Sequence, residues 1–197
     1  MKILIAQDEA FNFVYHTNID ALKAIGTVDF FSPLIDKVLP PCDLLYLPGG
    51  YPELFAQQLS ENSSMLHSIK NYSEKGGRVF AECGGFMYLC NAVDDKQMCG
   101  VLPLQATMNN PRLHLGYRQA EWNGMVMKGH EFHYSSVVEH SSNIDMKVLH
   151  IQTTASGKPI DTPIYLYKNV IAGYTHWYWA HLQPKTILQT LFQLKQD

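Results

Sequence analysis

The sequence predicts an α/β fold: a doubly wound, mostly parallel sheet with helices on both faces, followed by additional antiparallel strands in the second half. Three observations point there. Short runs that are apolar throughout, such as Ile3-Leu4-Ile5-Ala6 and Leu44-Leu45-Tyr46-Leu47, suit strands covered on both faces rather than one. Helical spacing appears between them, as in Met65, Leu66, Ile69 and Tyr72. Beyond Val101 the β-like segments follow one another with few helices between, which favours antiparallel pairing.

In chain order, Lys2 to Ala6 reads as a buried strand, and an aromatic stretch runs on to Tyr15. Asn18 is placed to cap a helix that continues through Ile25 and stops at Gly26, because a short polar side chain satisfies the first free N–H groups of a helix. Thr27 to Phe31 is the next strand. Leu44 to Leu47 reads as a central strand stopped by Pro48-Gly49-Gly50. A helix begins at Ser63 and ends at Gly76-Gly77, and Arg78 to Glu82 is the following strand. In the second half, Leu104 to Met108, Arg118 to Trp122, Phe132 to Glu139, Lys147 to Gln152 and Pro163 to Tyr167 are β-like, and Val170 to Tyr174 is a buried strand. Pro184 is suited to open a terminal helix with Ile187, Leu188, Leu191 and Leu194 on its inner face.

The 197 residues are read as one domain, 1–197, without repeat, low-complexity tract or linker. With 15 basic and 18 acidic residues the net charge is −3, and no Lys/Arg run occurs, which excludes the electrostatic footprint of a nucleic-acid binder. No window of 18 apolar residues is free of charge, and the first residues lack the long apolar core of a signal peptide. A cytoplasmic protein without membrane contact is expected. Cys42, Cys83, Cys90 and Cys99 contain no CxxC pair, so neither a disulfide framework nor a zinc cluster is indicated.

One cysteine stands apart. Arg78-Val79-Phe80-Ala81-Glu82-Cys83-Gly84-Gly85-Phe86 puts Cys83 where a buried strand turns into a helix, with two glycines following. A nucleophile elbow has this form: the tight turn exposes the apical side chain and aims the helix N–H groups at it, which is expected to lower a thiol's pKa. The alternative is a small buried hydrophobe beside an ordinary Gly-Gly turn. At the same edge of a parallel sheet, backbone N–H groups of Gly49 and Gly50 are placed to join Gly84 in an oxyanion hole. His176, delivered at the end of the buried strand that begins at Val170, is the candidate base. Gly129-His130-Glu131-Phe132-His133 spaces its histidines three apart rather than the four of HExxH and reads as a strand, so no metal site is expected there. The other histidines, at 16, 67, 114, 140, 150 and 181, are read as solvated or structurally satisfied.

Together, Leu45-Tyr46-Leu47-Pro48-Gly49-Gly50-Tyr51-Pro52-Glu53-Leu54, Ala81 to Leu89, Leu115-Gly116-Tyr117-Arg118, and Gly129 to Ser135 closely resemble the glutamine amidotransferase domain of cobyrinic acid a,c-diamide synthases. The resemblance runs to about Ala180 and implies a class I, Cys-His type amidotransferase fold. It further implies that Cys83 attacks the amide of glutamine to form a thioester, that His176 serves as acid and base, and that His133, Tyr134 and Ser135 border the glutamine pocket. It also implies an ATP-dependent synthetase partner that amidates a corrin acid. No cofactor is expected in this chain, since it has no GxxxxGK[ST] loop, and ATP and Mg²⁺ belong to the partner. The sequence departs from the family in its final motif: Gly173-Tyr174-Thr175-His176-Trp177-Tyr178-Trp179 has Tyr178 where many relatives carry the glutamate that orients the histidine. A stand-alone cysteine hydrolase, a DJ-1-like protein and a non-catalytic regulatory module are the competing readings.

Overall fold

In the computed structural model, which describes residues 1–139, 145–183, 186, 191 and 192, a seven-stranded sheet runs through the molecule. Its order is Lys147–Leu149, Ile164–Tyr167, Val170–Gly173, Arg78–Glu82, Leu44–Leu47, Lys2–Ala6 and Thr27–Phe31. The last five are parallel, and the first two are added antiparallel. Ile3 to Ala6 and Leu44 to Leu47 are at most 1% exposed, as their uninterrupted apolar sequence requires.

Alternation along these strands divides two cores. Leu4, Leu45, Leu47, Val79 and Ala81 face helix Ser63–Glu74 and helix Gly84–Leu89, with Leu104 and Ala106 of a four-stranded sheet (Ser136–Glu139, Leu104–Thr107, Ala92–Val93, Lys96–Gln97) closing that side. Ile3, Ile5, Leu44, Tyr46, Phe80 and Ile171 face the other way. There they meet helix His16–Lys23 and a second four-stranded sheet, ordered Gln152–Thr154, His114–Trp122, Met125–His133 and His176–Tyr178. Among the described residues this face is thus covered by helix His16–Lys23, an antiparallel sheet and the helical residues Leu191 and Phe192. Among the described residues no helix is long and apolar enough to cross a membrane.

Several elements differ from their sequence reading. Asn18 lies inside helix His16–Lys23 and is fully buried, with Tyr15 at the cap position. Its amide serves the far edge of another element: Nδ2 donates to the Trp177 carbonyl at 2.7 Å, and Oδ1 accepts from the Trp179 N–H at 2.9 Å. Stranding either buried group would cost about 1–3 kcal/mol, more than a helix cap usually contributes. Phe132 to Glu139 is two strands rather than one, ending at His133 and resuming at Ser136 in the other small sheet. Lys147 to Gln152 likewise divides between two sheets. Of the terminal helix, Thr186, Leu191 and Phe192 are helical and Leu191 is buried, while Pro184, Ile187, Leu188 and Leu194 lie outside the described residues, as does His140.

Candidate active site

The strands Arg78–Glu82 and Leu44–Leu47 are parallel neighbours, so Cys83 and the Gly49-Gly50 turn emerge at one carboxyl edge. Cys83 adopts φ 45°, ψ −103° at the start of helix Gly84–Leu89, a backbone conformation L-residues rarely take. Such a residue stores on the order of 1–3 kcal/mol and is held by its surroundings. Here the Cys83 N–H donates to the Gly173 carbonyl at 2.8 Å and the Gly85 N–H to that of Pro48 at 2.9 Å. The turn needs its glycines: a Cβ on Gly84 would sit 2.9 Å from the Gly50 nitrogen, and one on Gly85 2.1 Å from the Leu47 oxygen.

The thiol does not have the lowered pKa that the elbow suggests. Only 6% of Cys83 is exposed, and burial pushes its thiol up to about 12. Glu53, Glu82 and Glu131 add to the rise, which the Gly84 N–H only partly offsets. His176 is driven the opposite way, to about 3, by burial and by His130 and His133. The pair therefore rests as neutral thiol and neutral imidazole, and a thiolate has to be made by proton transfer at the moment of attack.

His176 does not end the strand of the main sheet. Val170–Gly173 stops first, and Tyr174-Thr175 carries the chain across to the antiparallel sheet, where His176 opens strand His176–Tyr178 opposite His130. The imidazole is stacked on His130, centroids 4.9 Å apart, and met edge-on by Phe13 at 4.6 Å. Its Cε1 edge also abuts Gly49, where a Cβ would collide with Cε1. Gly49→Ala must displace this ring. We expect kcat for glutamine hydrolysis to fall on the order of 10²-fold with little change in KM, as steady-state assay would show.

A cavity of about 280 Å³ opens beside these groups, lined by Phe13, Gly50, Tyr51, Cys83, His130, Phe132 and His176. Of the three glycines read as oxyanion donors, Gly49 is already committed, since its N–H donates to the Phe13 carbonyl at 3.1 Å. Gly50 lines the cavity and packs against Gly84, so these two remain. His133, Tyr134 and Ser135 are not among the lining residues. His133 lies behind the cavity, stacked at 3.6 Å on Tyr174 and bonded through Nε2 to Glu131 at 2.7 Å. The Ser135 hydroxyl donates to that of Tyr174, and the Tyr134 side chain is exposed. The segment instead reaches the cavity through His130 and Phe132, and the Phe132 carbonyl faces the Cys83 thiol at 3.8 Å. His130 is fixed by the Tyr15 hydroxyl on its Nδ1 at 2.7 Å.

His114, Glu131 and His133 bring ligand-type atoms within 4.8 Å of one another. The carboxylate is already matched by the Arg118 guanidinium and the Thr162 hydroxyl, and the two imidazoles are stacked in parallel rather than converging on a point. Burial works to raise the Glu131 carboxyl, but hydrogen bonds from His133 and Arg118 hold it at about 2. This cluster braces the strand pair behind the cavity.

The fold and site define a class I glutamine amidotransferase. A crystal structure of a glutamine amidotransferase superposes with a TM-score of 0.60 at 14% identity, covering 98% of this chain and 99% of that one. The family of CobB/CobQ-like glutamine amidotransferase domains matches residues 2–184, and the chain belongs to that family. It is 39% identical to a cobyrinate a,c-diamide synthase from Methanobrevibacter smithii over 89% of this chain and 41% of that protein. It is 41% identical to one from Fusobacterium nucleatum over 88% of this chain and 40% of that protein. The chain thus spans about two fifths of the length of these relatives.

Proposed function

We propose that this domain releases ammonia from glutamine for the amidation of corrin carboxylates by an ATP-dependent synthetase, in the manner of a cobyrinate a,c-diamide synthase. One observation carries the reading: Cys83, on its strained elbow, shares a single cavity with His176 and Gly50. The Cys83 proton passes to His176 as sulfur bonds to the side-chain amide carbon of glutamine. The oxyanion that forms is met by the N–H groups of Gly84 and Gly50. The C–N bond then breaks, the protonated His176 gives its proton to the leaving nitrogen, and ammonia departs from a γ-glutamyl thioester. Water, deprotonated by His176, attacks the thioester, and the proton returns to sulfur as glutamate leaves. A neutral thiol and imidazole at rest suit this sequence, because each proton moves only when glutamine is present.

Ammonia set free into solvent is lost to the acceptor, so the cavity mouth has to be covered during coupled turnover. Phe13, Tyr51 and Phe132 line the cavity and are also 36–48% exposed, an apolar rim suited to a partner surface. Trp177 and Trp179, by contrast, are core residues. In this reading ATP and Mg²⁺ are bound by the synthetase, the acceptor is a corrin acid, and the protein acts in the cytoplasm. The test is glutaminase turnover of the chain alone, then with a matching synthetase domain, ATP and a corrin acid. We expect slow hydrolysis alone and at least tenfold stimulation by the complete mixture. Full rate without the partner, or corrin amidation by this chain alone, would contradict the proposed division of labour.

A further inference from the structure

With Tyr178 in place of an acidic residue, something else has to hold His176 in the cavity it shares with Cys83. The His176 Nδ1 is buried without a hydrogen-bond partner among the described residues, so the ring is held by its packing and by its own backbone. On one edge, strand His176–Tyr178 pairs with Met125–His133. Among the described residues no strand covers its other edge, where two buried side chains substitute for one. Asn18 takes the Trp177 carbonyl and the Trp179 N–H, and Glu82 Oε1 accepts the Trp177 N–H at 2.9 Å.

Glu82 is 2% exposed and makes no ion pair among the described residues. The Tyr46 hydroxyl fixes its other oxygen at 2.8 Å. A carboxyl with two hydrogen-bond donors and no cation is costly to bury, and packing alone would be served as well by an apolar side chain of similar volume. Its place in the chain gives the group a use: it directly precedes the nucleophile and holds the N–H directly after the base.

We propose that Glu82 is a positioning residue for the Cys83–His176 pair, doing through the backbone of Trp177 what an acidic residue beside the imidazole does elsewhere. One side chain thereby ties the elbow strand to the strand bearing the base.

This inference rests on the glutaminase reading, and its test separates the two. In the full chain, Glu82→Gln keeps an oxygen for Trp177, and kcat should stay within about threefold of the parent. Glu82→Leu removes it, and kcat should fall on the order of 10²-fold with KM for glutamine changed less than about twofold. Tyr46→Phe leaves the Trp177 bond in place and should behave like Glu82→Gln. Backbone N–H exchange at Trp177 and the His176 ring resonances, read by NMR, give a measure independent of turnover. In Glu82→Leu exchange should quicken at least tenfold and the resonances should shift, with neither change in Glu82→Gln. If Glu82→Leu does not fold by near-ultraviolet circular dichroism, Glu82→Ala is judged by the same measures. A folded Glu82→Leu or Glu82→Ala with parental exchange and ring resonances, or a Glu82→Gln as impaired as either, overturns the proposal. Absence of turnover in the parent chain overturns the glutaminase reading and leaves the NMR comparison to decide on Glu82.

Discussion

Cys83→Ala and Cys83→Ser are expected to abolish glutamine hydrolysis, the first by removing sulfur and the second by replacing it with a less acidic hydroxyl that is a poorer nucleophile at the same elbow. The same substitutions should abolish covalent labelling by a chloroketone analogue of glutamine, with mass spectrometry of the parent locating the adduct on Cys83 alone. The selectivity follows from the cavity that receives the analogue rather than from thiol acidity or exposure. Burial raises the pKa of all four thiols, so no cysteine is marked out as a resting thiolate. Cys90 and Cys99 are sealed in the core at 0% and 3% exposure, and Cys42 lies among the partly buried residues packed against the core, away from the cavity. Cys83 is the one cysteine lining the cavity with a histidine and Gly50. Equal labelling of the four, or turnover retained in Cys83→Ala, would remove Cys83 from the mechanism.

Much of this arrangement is legible in the sequence because it is encoded by neighbouring residues. Apolar runs without alternation, such as Leu44 to Leu47, identify strands buried on both faces, and Cys83-Gly84-Gly85 after Arg78 to Glu82 identifies the elbow. What escapes a linear reading depends on residues far apart in the chain. The elbow pattern suggests the helix N–H groups beside the thiol, but not the burial that outweighs them or the carboxylates arriving from Glu53 and Glu131. Gly49 loses its N–H to Phe13, a pairing no local pattern signals. His130 and Phe132 reach the cavity, and His133 does not, because of strand register: side chains on Met125–His133 alternate between faces, and one position decides which imidazole lines the cavity. Register is visible only once His176 is known to sit opposite His130. Asn18 misleads for a related reason, since its amide satisfies a strand edge distant in the chain instead of its own helix.

His176→Ala should lower kcat by 10²-fold or more, the usual contribution of a positioned acid and base, while substrate binding through the remaining cavity wall persists. His133→Ala, behind the cavity, should cost less in kcat and more in stability, because it strips a partner from buried Glu131. The state of His176 also sets a stability signature. Its folded pKa of about 3 lies below the ordinary imidazole value of 6.5, so between those limits the unfolded chain binds the proton that the folded one refuses. Stability attributable to this site is therefore full above about pH 6.5 and lost progressively as pH falls toward 3. His176→Phe, which fills the space without a titrating group, should flatten that part of the dependence of the unfolding midpoint on pH, and it should be as inactive as His176→Ala. Denaturant titrations between pH 7 and 4 would show the parent losing more stability than the variant as the pH falls if burial of a neutral imidazole is a real liability of the site. Parallel curves would show that burial does not hold the His176 imidazole neutral, and a His176→Ala enzyme that keeps its rate while His130→Ala loses it would move the base from His176 to its stacked neighbour.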